Sequence, residues 1–249
     1  MLPQSFAETG IHIHRVNQAA PEMYQVLGER GSGTNVVRKL IDKNVRTFRT
    51  EALGWKHGFP HMIAVPDNLL TVVCIRDARN WALSMHDRPW HAHPEMHRLG
   101  FAEFIRTPWR GIVDRVTDFE TIHPELKAQG ADLQFDRHPL TGRPFDNLFA
   151  LRRAKLEGHL SMLRRGGDVM VVRMESFLND PESALQHLCR AFDLIRKHDD
   201  LKLVKRRMGT RHKIGSTRPE TPSEMAPEDI AFMKTQLDLP LEAQLGYDY

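Results

Sequence analysis

One stretch limits the fold of this chain more than any other. Residues 24–27, Tyr-Gln-Val-Leu, form a short apolar run that ends at Gly28. Glu29-Arg-Gly-Ser-Gly-Thr-Asn35 follows, and from Val36 the apolar residues Val37, Leu40, Ile41 and Val45 recur at helical spacing. A strand that turns through glycines straight into an amphipathic helix is the opening of a βα unit. Two further runs extend the pattern. Leu69–Ile75, LLTVVCI, is a near-continuous apolar stretch, as in a strand covered on both faces. Asp168–Val172 follows a helix expected over 151–163 and precedes one expected over 181–194, with Asp180 as its N-cap and Pro181 in its first turn. Strands alternating with helices predict an α/β fold around a central parallel sheet.

Composition narrows the class without naming a function. The chain has 249 residues, 41% of them hydrophobic, enough for a sizeable core and too apolar for disorder. No run of eighteen apolar residues suggests a membrane span, and Met1 to Gly10 does not resemble a secretory signal. Two cysteines, Cys74 and Cys189, cannot make a disulfide scaffold, so a reducing, cytoplasmic setting is expected. We expect a single domain over 1–249. Within it, 88–144, broken by prolines and histidines, forms an irregular insertion or lid over the acceptor side, and a tail helix starts near Pro227. The net charge is only +3, yet Lys202, Lys205, Arg206, Arg207, Arg211, Lys213 and Arg218 lie between 201 and 219 with no acidic residue among them. Such a block attracts phosphate or sulfate groups.

The glycine loop has the composition of an anion cradle. Its glycines permit tight turning, the following helix offers unbonded N–H groups, and Arg30, Ser32, Thr34 and Asn35 can add charge and donors. A Walker A loop is excluded because Gly33 is followed by Thr34-Asn35, with no lysine; Gly28, Gly31 and Gly33 also miss the dinucleotide spacing. An ordinary glycine-rich turn is the plain alternative. A second anion site is expected where LLTVVCI ends in Arg76, at the carboxyl edge where open sheets bind ligands. Ser84, one to two turns into the next helix, could converge with it; the plain alternative is an arginine paired with an acid such as Asp77.

These segments resemble the sulfotransferases that use 3′-phosphoadenosine-5′-phosphosulfate (PAPS). Gly28 to Asn35 is similar to that family's strand–loop–helix for the 5′ sulfophosphate, in the branch with a Glu-Arg-x-Ser-Gly-Thr-Asn loop. Arg76 and Ser84 match its Arg-to-Ser spacing for the 3′-phosphate, and Trp81-Ala-Leu-Ser84-Met resembles the helix between. Arg173-Met-Glu-Ser-Phe-Leu-Asn-Asp-Pro181 and Leu245-Gly-Tyr247 are similar to later family segments. The resemblance covers 22–86 and 150–195 firmly and the tail loosely. It departs at Gly31, where the family usually has a basic residue; here Arg30 stands one position earlier. The resemblance implies a three-layer fold of the P-loop nucleotide hydrolase kind. It also implies sulfuryl transfer to a hydroxyl of a small molecule or glycan, with 3′,5′-adenosine bisphosphate (PAP) as product. Arg30, Gly31, Ser32, Gly33, Thr34, Asn35, Arg76 and Ser84 would bind the nucleotide, joined by Arg206, Arg207, Arg211 and Lys213. No metal is needed for that chemistry, and no nucleic-acid partner is expected.

Such a reaction asks for a base and for positive charge at the leaving group. Ala52-Leu-Gly-Trp-Lys-His-Gly-Phe-Pro-His61 follows the first helix, near where the next strand should bring the chain back to the cleft. It offers His57 as base, with Lys56 and Arg30 near the transferring group. A plain structural turn, or Glu51 or Glu175 as base, are the alternatives. His86, His91, His93 and His97 lack the spacing of a metal site and suit a loop beside the acceptor or plain surface. A kinase-like phosphotransferase and a non-catalytic nucleotide-binding module are the competing functions.

Overall fold

The structure, a computed structural model, describes residues 2–119, 128–204 and 218–249. Its elements in chain order are α1 (Ser5–Thr9), β1 (Ile11–His14), β2 (Met23–Gly28), α2 (Thr34–Asn44), β3 (Phe48–Arg49), β4 (Leu69–Ile75), α3 (Ala78–Asp87), α4 (Phe101–Arg106), α5 (Leu148–Leu160), β5 (Asp168–Arg173), α6 (Met174–Asn179), α7 (Pro181–Ala191), α8 (Pro227–Gln236) and α9 (Leu239–Gln244), with short 3-10 turns between some of them. The architecture is mixed α/β around a five-stranded sheet of order β1-β5-β4-β2-β3. Strands β2 to β5 pair in parallel, and β1 lies antiparallel on β5, Ile11 opposite Val172. The sequence reading has no strand at 11–14. Four residues, two of them histidines, carry too little apolar signal, although Ile11 and Ile13 pack on the core.

The chain divides into two compact units. The first holds described residues 2–76, 156–204 and 240–248 and contains the sheet. Every residue of β4 is buried, the consequence of its unbroken apolar run. Tyr24 and Val26 of β2 join Leu70, Val72 and Cys74 of β4 in one cluster with Leu40 and Ile41 of α2 and Leu185 and Leu188 of α7. Cys74 and Cys189 belong to it as free thiols, and burial pushes both thiols up from their ordinary range. Helix α7 starts as predicted: the Asp180 carboxylate accepts the Ser183 N–H at 3.0 Å, and Pro181 occupies the first turn.

The second unit holds described residues 77–119, 128–155, 218–239 and Tyr249. Helix α3 opens on Asp77, which accepts the Asn80 N–H at 3.0 Å. Trp81 is fully buried beneath the Arg152 guanidinium, 5.4 Å from its ring. A closed polar cluster sits nearby in the same unit. Asp136 accepts from Lys155 Nζ at 2.5 Å and from Trp109 Nε1 at 2.9 Å, all three side chains being buried. A Cβ at Gly111 would come within 2.6 Å of that carboxylate, so a side chain there would have to displace Asp136. Across 88–144 the described residues carry α4 and three-residue 3-10 turns, in keeping with the weak periodicity of that stretch.

Candidate functional site

The first unit assembles its polar chemistry around the glycine loop. Gly28 closes β2 with φ +153, and a Cβ there would meet the Cys74 carbonyl oxygen at 2.5 Å. The loop then folds on itself: the Ser32 hydroxyl and amide both donate to the Glu29 carbonyl, at 2.7 and 3.1 Å. Ser32, predicted as a phosphate donor, therefore also holds the loop's shape. Gly33, at φ +88, caps α2 by accepting from Val36 and Val37 at 2.9 and 3.1 Å. Helix geometry gives the amides of Thr34 and Asn35, one step earlier, no acceptor within the helix. Arg30 is buried, with its guanidinium 5.6 Å from the Trp55 ring centre.

The segment 53–58 is clasped to this loop. Gly28 N–H donates to the Lys56 carbonyl at 3.0 Å, and Lys56 Nζ donates to Asn35 Oδ1 at 2.7 Å. His57 Nδ1 lies 2.6 Å from the Gly28 carbonyl oxygen. A carbonyl only accepts, so Nδ1 carries the proton, and in the neutral ring the basic lone pair sits on Nε2. Trp55 meets the His57 ring edge-on at 5.2 Å. From α5, His159 Nε2 donates to the Gly58 carbonyl at 3.0 Å. Burial pushes the Glu51 carboxyl up, against the opposing pull of Lys56, Arg49 and Arg38.

The sequence reading passes over Gln25. It lies mid-strand in β2, 1% exposed, its Nε2 donating to Gly54 O at 2.7 Å and its Oε1 accepting from Leu53 N at 2.8 Å. One amide inside an apolar strand is the only signal of it in the sequence.

The remaining predicted residues fall in several places. Arg76 directly follows β4 and donates from Nη1 to the Gly31 carbonyl at 2.8 Å, so it joins the loop. Ser84 lies on α3, in the second unit, where its carbonyl accepts from Arg88 N at 3.1 Å. Arg206, Arg207, Arg211 and Lys213 lie outside the described residues. Arg218, the last cation of that block, donates to the carbonyls of His86, Asp87 and His97, capping the end of α3. That arginine, read as part of an anion-attracting run, has a structural task.

Glu175, the alternative base, accepts from the Tyr247 hydroxyl at 2.9 Å. Arg173 donates to the carbonyls of Gly246 and Glu8, both at 3.1 Å, so the 173–175 and 245–247 segments meet in one node of the first unit. A Cβ at Gly246 would lie within 2.4 Å of the Ala7 carbonyl oxygen, which requires glycine there. Among the four clustered histidines, His86 bonds to Thr221 and Leu99, and His91 sits between Asp114 at 2.9 Å and Asp118 at 3.0 Å. Among the described residues no group of three or more His, Cys, Asp or Glu side chains is placed to hold a metal ion. Nor is any described helix long and apolar enough to cross a membrane. The chain matches no family model, no curated protein and no solved structure.

Proposed function

We propose that the first unit binds a nucleotide phosphosulfate of the PAPS type on the Gly28–Asn35 loop and transfers its sulfuryl group to an acceptor hydroxyl. The observation that carries this reading is the clasp of His57 and Lys56 onto the loop and the first turn of α2. It brings an oriented histidine, an ammonium group and helix N-terminal amides together, as sulfuryl transfer requires. The donor supplies the activated sulfuryl group. Thr34 and Asn35 offer backbone N–H groups to its anionic end, where the helix N-terminus favours negative charge. Lys56 and Arg30 place positive charge beside the loop, offsetting charge that develops on the leaving phosphate. His57, its proton held on Nδ1 by the Gly28 carbonyl, presents Nε2 to take the acceptor proton. Arg76, hydrogen-bonded to Gly31, serves the nucleotide's 3′-phosphate while fixing the loop. The acceptor, a small molecule or glycan, is left to experiment. The resemblance of the loop and of Arg76 to the PAPS-dependent sulfotransferases supports the three-layer fold assignment and the donor class alike.

The deciding measurement is calorimetric titration with PAP, in parallel with magnesium-ATP. PAP binding without metal, weakened about tenfold or more by Arg76→Ala, is the expected result. A preference for magnesium-ATP would turn the reading to a phosphotransferase. Turnover of labelled donor against an acceptor panel then separates a transferase from a nucleotide-binding module.

A further inference from the structure

We propose that Gln25 is a positioning residue: it holds 53–57 in register so that His57 keeps its proton on Nδ1 and its lone pair on Nε2. The inference builds on the reading of His57 as the base, although its test needs no turnover. An amide in the middle of a parallel strand, 1% exposed between Tyr24 and Val26, is costly to bury unless both of its ends are bonded. Here both ends are bonded, and to backbone groups of adjacent residues, Leu53 N–H and Gly54 C=O. The side chain is a two-pronged clip on a segment that belongs to no helix or strand. Three residues further along the same strand, Gly28 makes the second attachment through Lys56 O and His57 Nδ1.

The two attachments depend on each other geometrically. Only residue 55 separates them, and each sits in a tight turn: Gly54 N–H bonds to Glu51 O at 2.9 Å, with Gly54 at φ +83, and Gly58 N–H bonds to Trp55 O at 2.8 Å. A shift at 53–54 is therefore carried to residue 57 rather than absorbed. A 2.6 Å contact between ring nitrogen and carbonyl tolerates little displacement before it is lost. Without it an imidazole in water favours the other tautomer, with the proton on Nε2, and the base is then turned the wrong way round. A leucine or valine would fill position 25 as well as glutamine does. It would strip the Leu53 amide and the Gly54 carbonyl of their partners. The choice of an amide at this core position is explained by the clip and not by packing.

The test is nitrogen-15 NMR of histidine-labelled protein, in which the shifts of the two ring nitrogens report the tautomer. The wild-type chain is expected to show His57 with the proton on Nδ1. In Gln25→Met, which keeps volume and loses both hydrogen bonds, that tautomer should fall severalfold while circular dichroism shows the fold intact. A folded Gln25→Met protein with an unchanged His57 tautomer would overturn the proposal. Should the variant not fold, hydrogen exchange on the wild type decides. The Leu53 amide and the His57 Nδ1–H should exchange with equal protection; a Leu53 amide about tenfold or more less protected than the ring proton overturns the linkage. On the same samples, labelled-donor turnover in Gln25→Met should fall about tenfold or more in kcat with donor KM within about twofold. A wild-type protein that neither binds PAP nor turns over donor defeats the proposed function and leaves the tautomer result standing by itself.

Discussion

Each unit of this protein buries a polar network, and the two are built differently. In the second unit Asp136 accepts from Lys155 and Trp109, and Gly111 packs against the carboxylate. That cluster is closed, with a charge met by a charge. In the first unit Gln25, Gly28, Lys56 and His57 are joined mainly through backbone groups, and the network ends on Asn35 in the opening turn of α2. There the first helical amides have no acceptor within the helix. Burial of polar groups does not by itself mark a site, since Gln25 and His57 are buried in one network and Asp136 and Lys155 in the other. What distinguishes the first network is that it reaches a helix N-terminus, whose leading amides the helix itself cannot satisfy.

Removing Asp136 should have the largest effect. Asp136→Ala leaves the Lys155 ammonium buried without its carboxylate, which costs about 3–5 kcal/mol. The expected outcome is a large drop in the urea midpoint; a change under about 1 kcal/mol would show that this cluster is not closed in the sense used here. Lys56→Met should behave in the opposite way. It removes one hydrogen bond, worth about 1 kcal/mol of stability, while PAP affinity falls about tenfold or more. Calorimetry and denaturation on the same variant check both halves, and equal losses in the two would erase the contrast between the networks.

The smallest effect is in acid. Burial alone would push the Asp118 carboxyl up, but hydrogen bonds from His91 and Arg115 outweigh it and hold the group below its ordinary value. A depressed carboxyl contributes stability that is present above its unfolded value and lost as pH falls through the folded one. Protection of the amides at 112–119, relative to their intrinsic exchange at each pH, should therefore hold at neutral pH and fall below about pH 4. His91→Gln should move that transition upward. A transition at the same pH in both proteins would break the link to His91.

How much was legible beforehand depended on the range of the interactions. The βα unit at 23–44 could be read because strand, glycine turn and helix are each coded within a few residues. The same holds for the Asp180 cap, whose partner lies three residues on. Gln25 was illegible because its bonds reach 28 and 29 residues along the chain, and one amide in an apolar run looks like a fault in the pattern. The bonds of Arg218 were illegible for a related reason. A run of cations suggests an anion, whereas the carbonyls that receive this guanidinium lie more than a hundred residues upstream.

By itself, the sequence determined that strands and helices alternate, that Leu69–Ile75 is covered on both faces, and that a glycine loop opens α2. These follow from local periodicity and from the steric freedom of glycine. Only the tertiary structure decided that residues 53–58 return to that loop, that Arg76 bonds to Gly31, and that His57 carries its proton on Nδ1. The proton sits on Nδ1 because that nitrogen faces the Gly28 carbonyl, and which group faces a ring nitrogen depends on a contact between segments that no local pattern encodes.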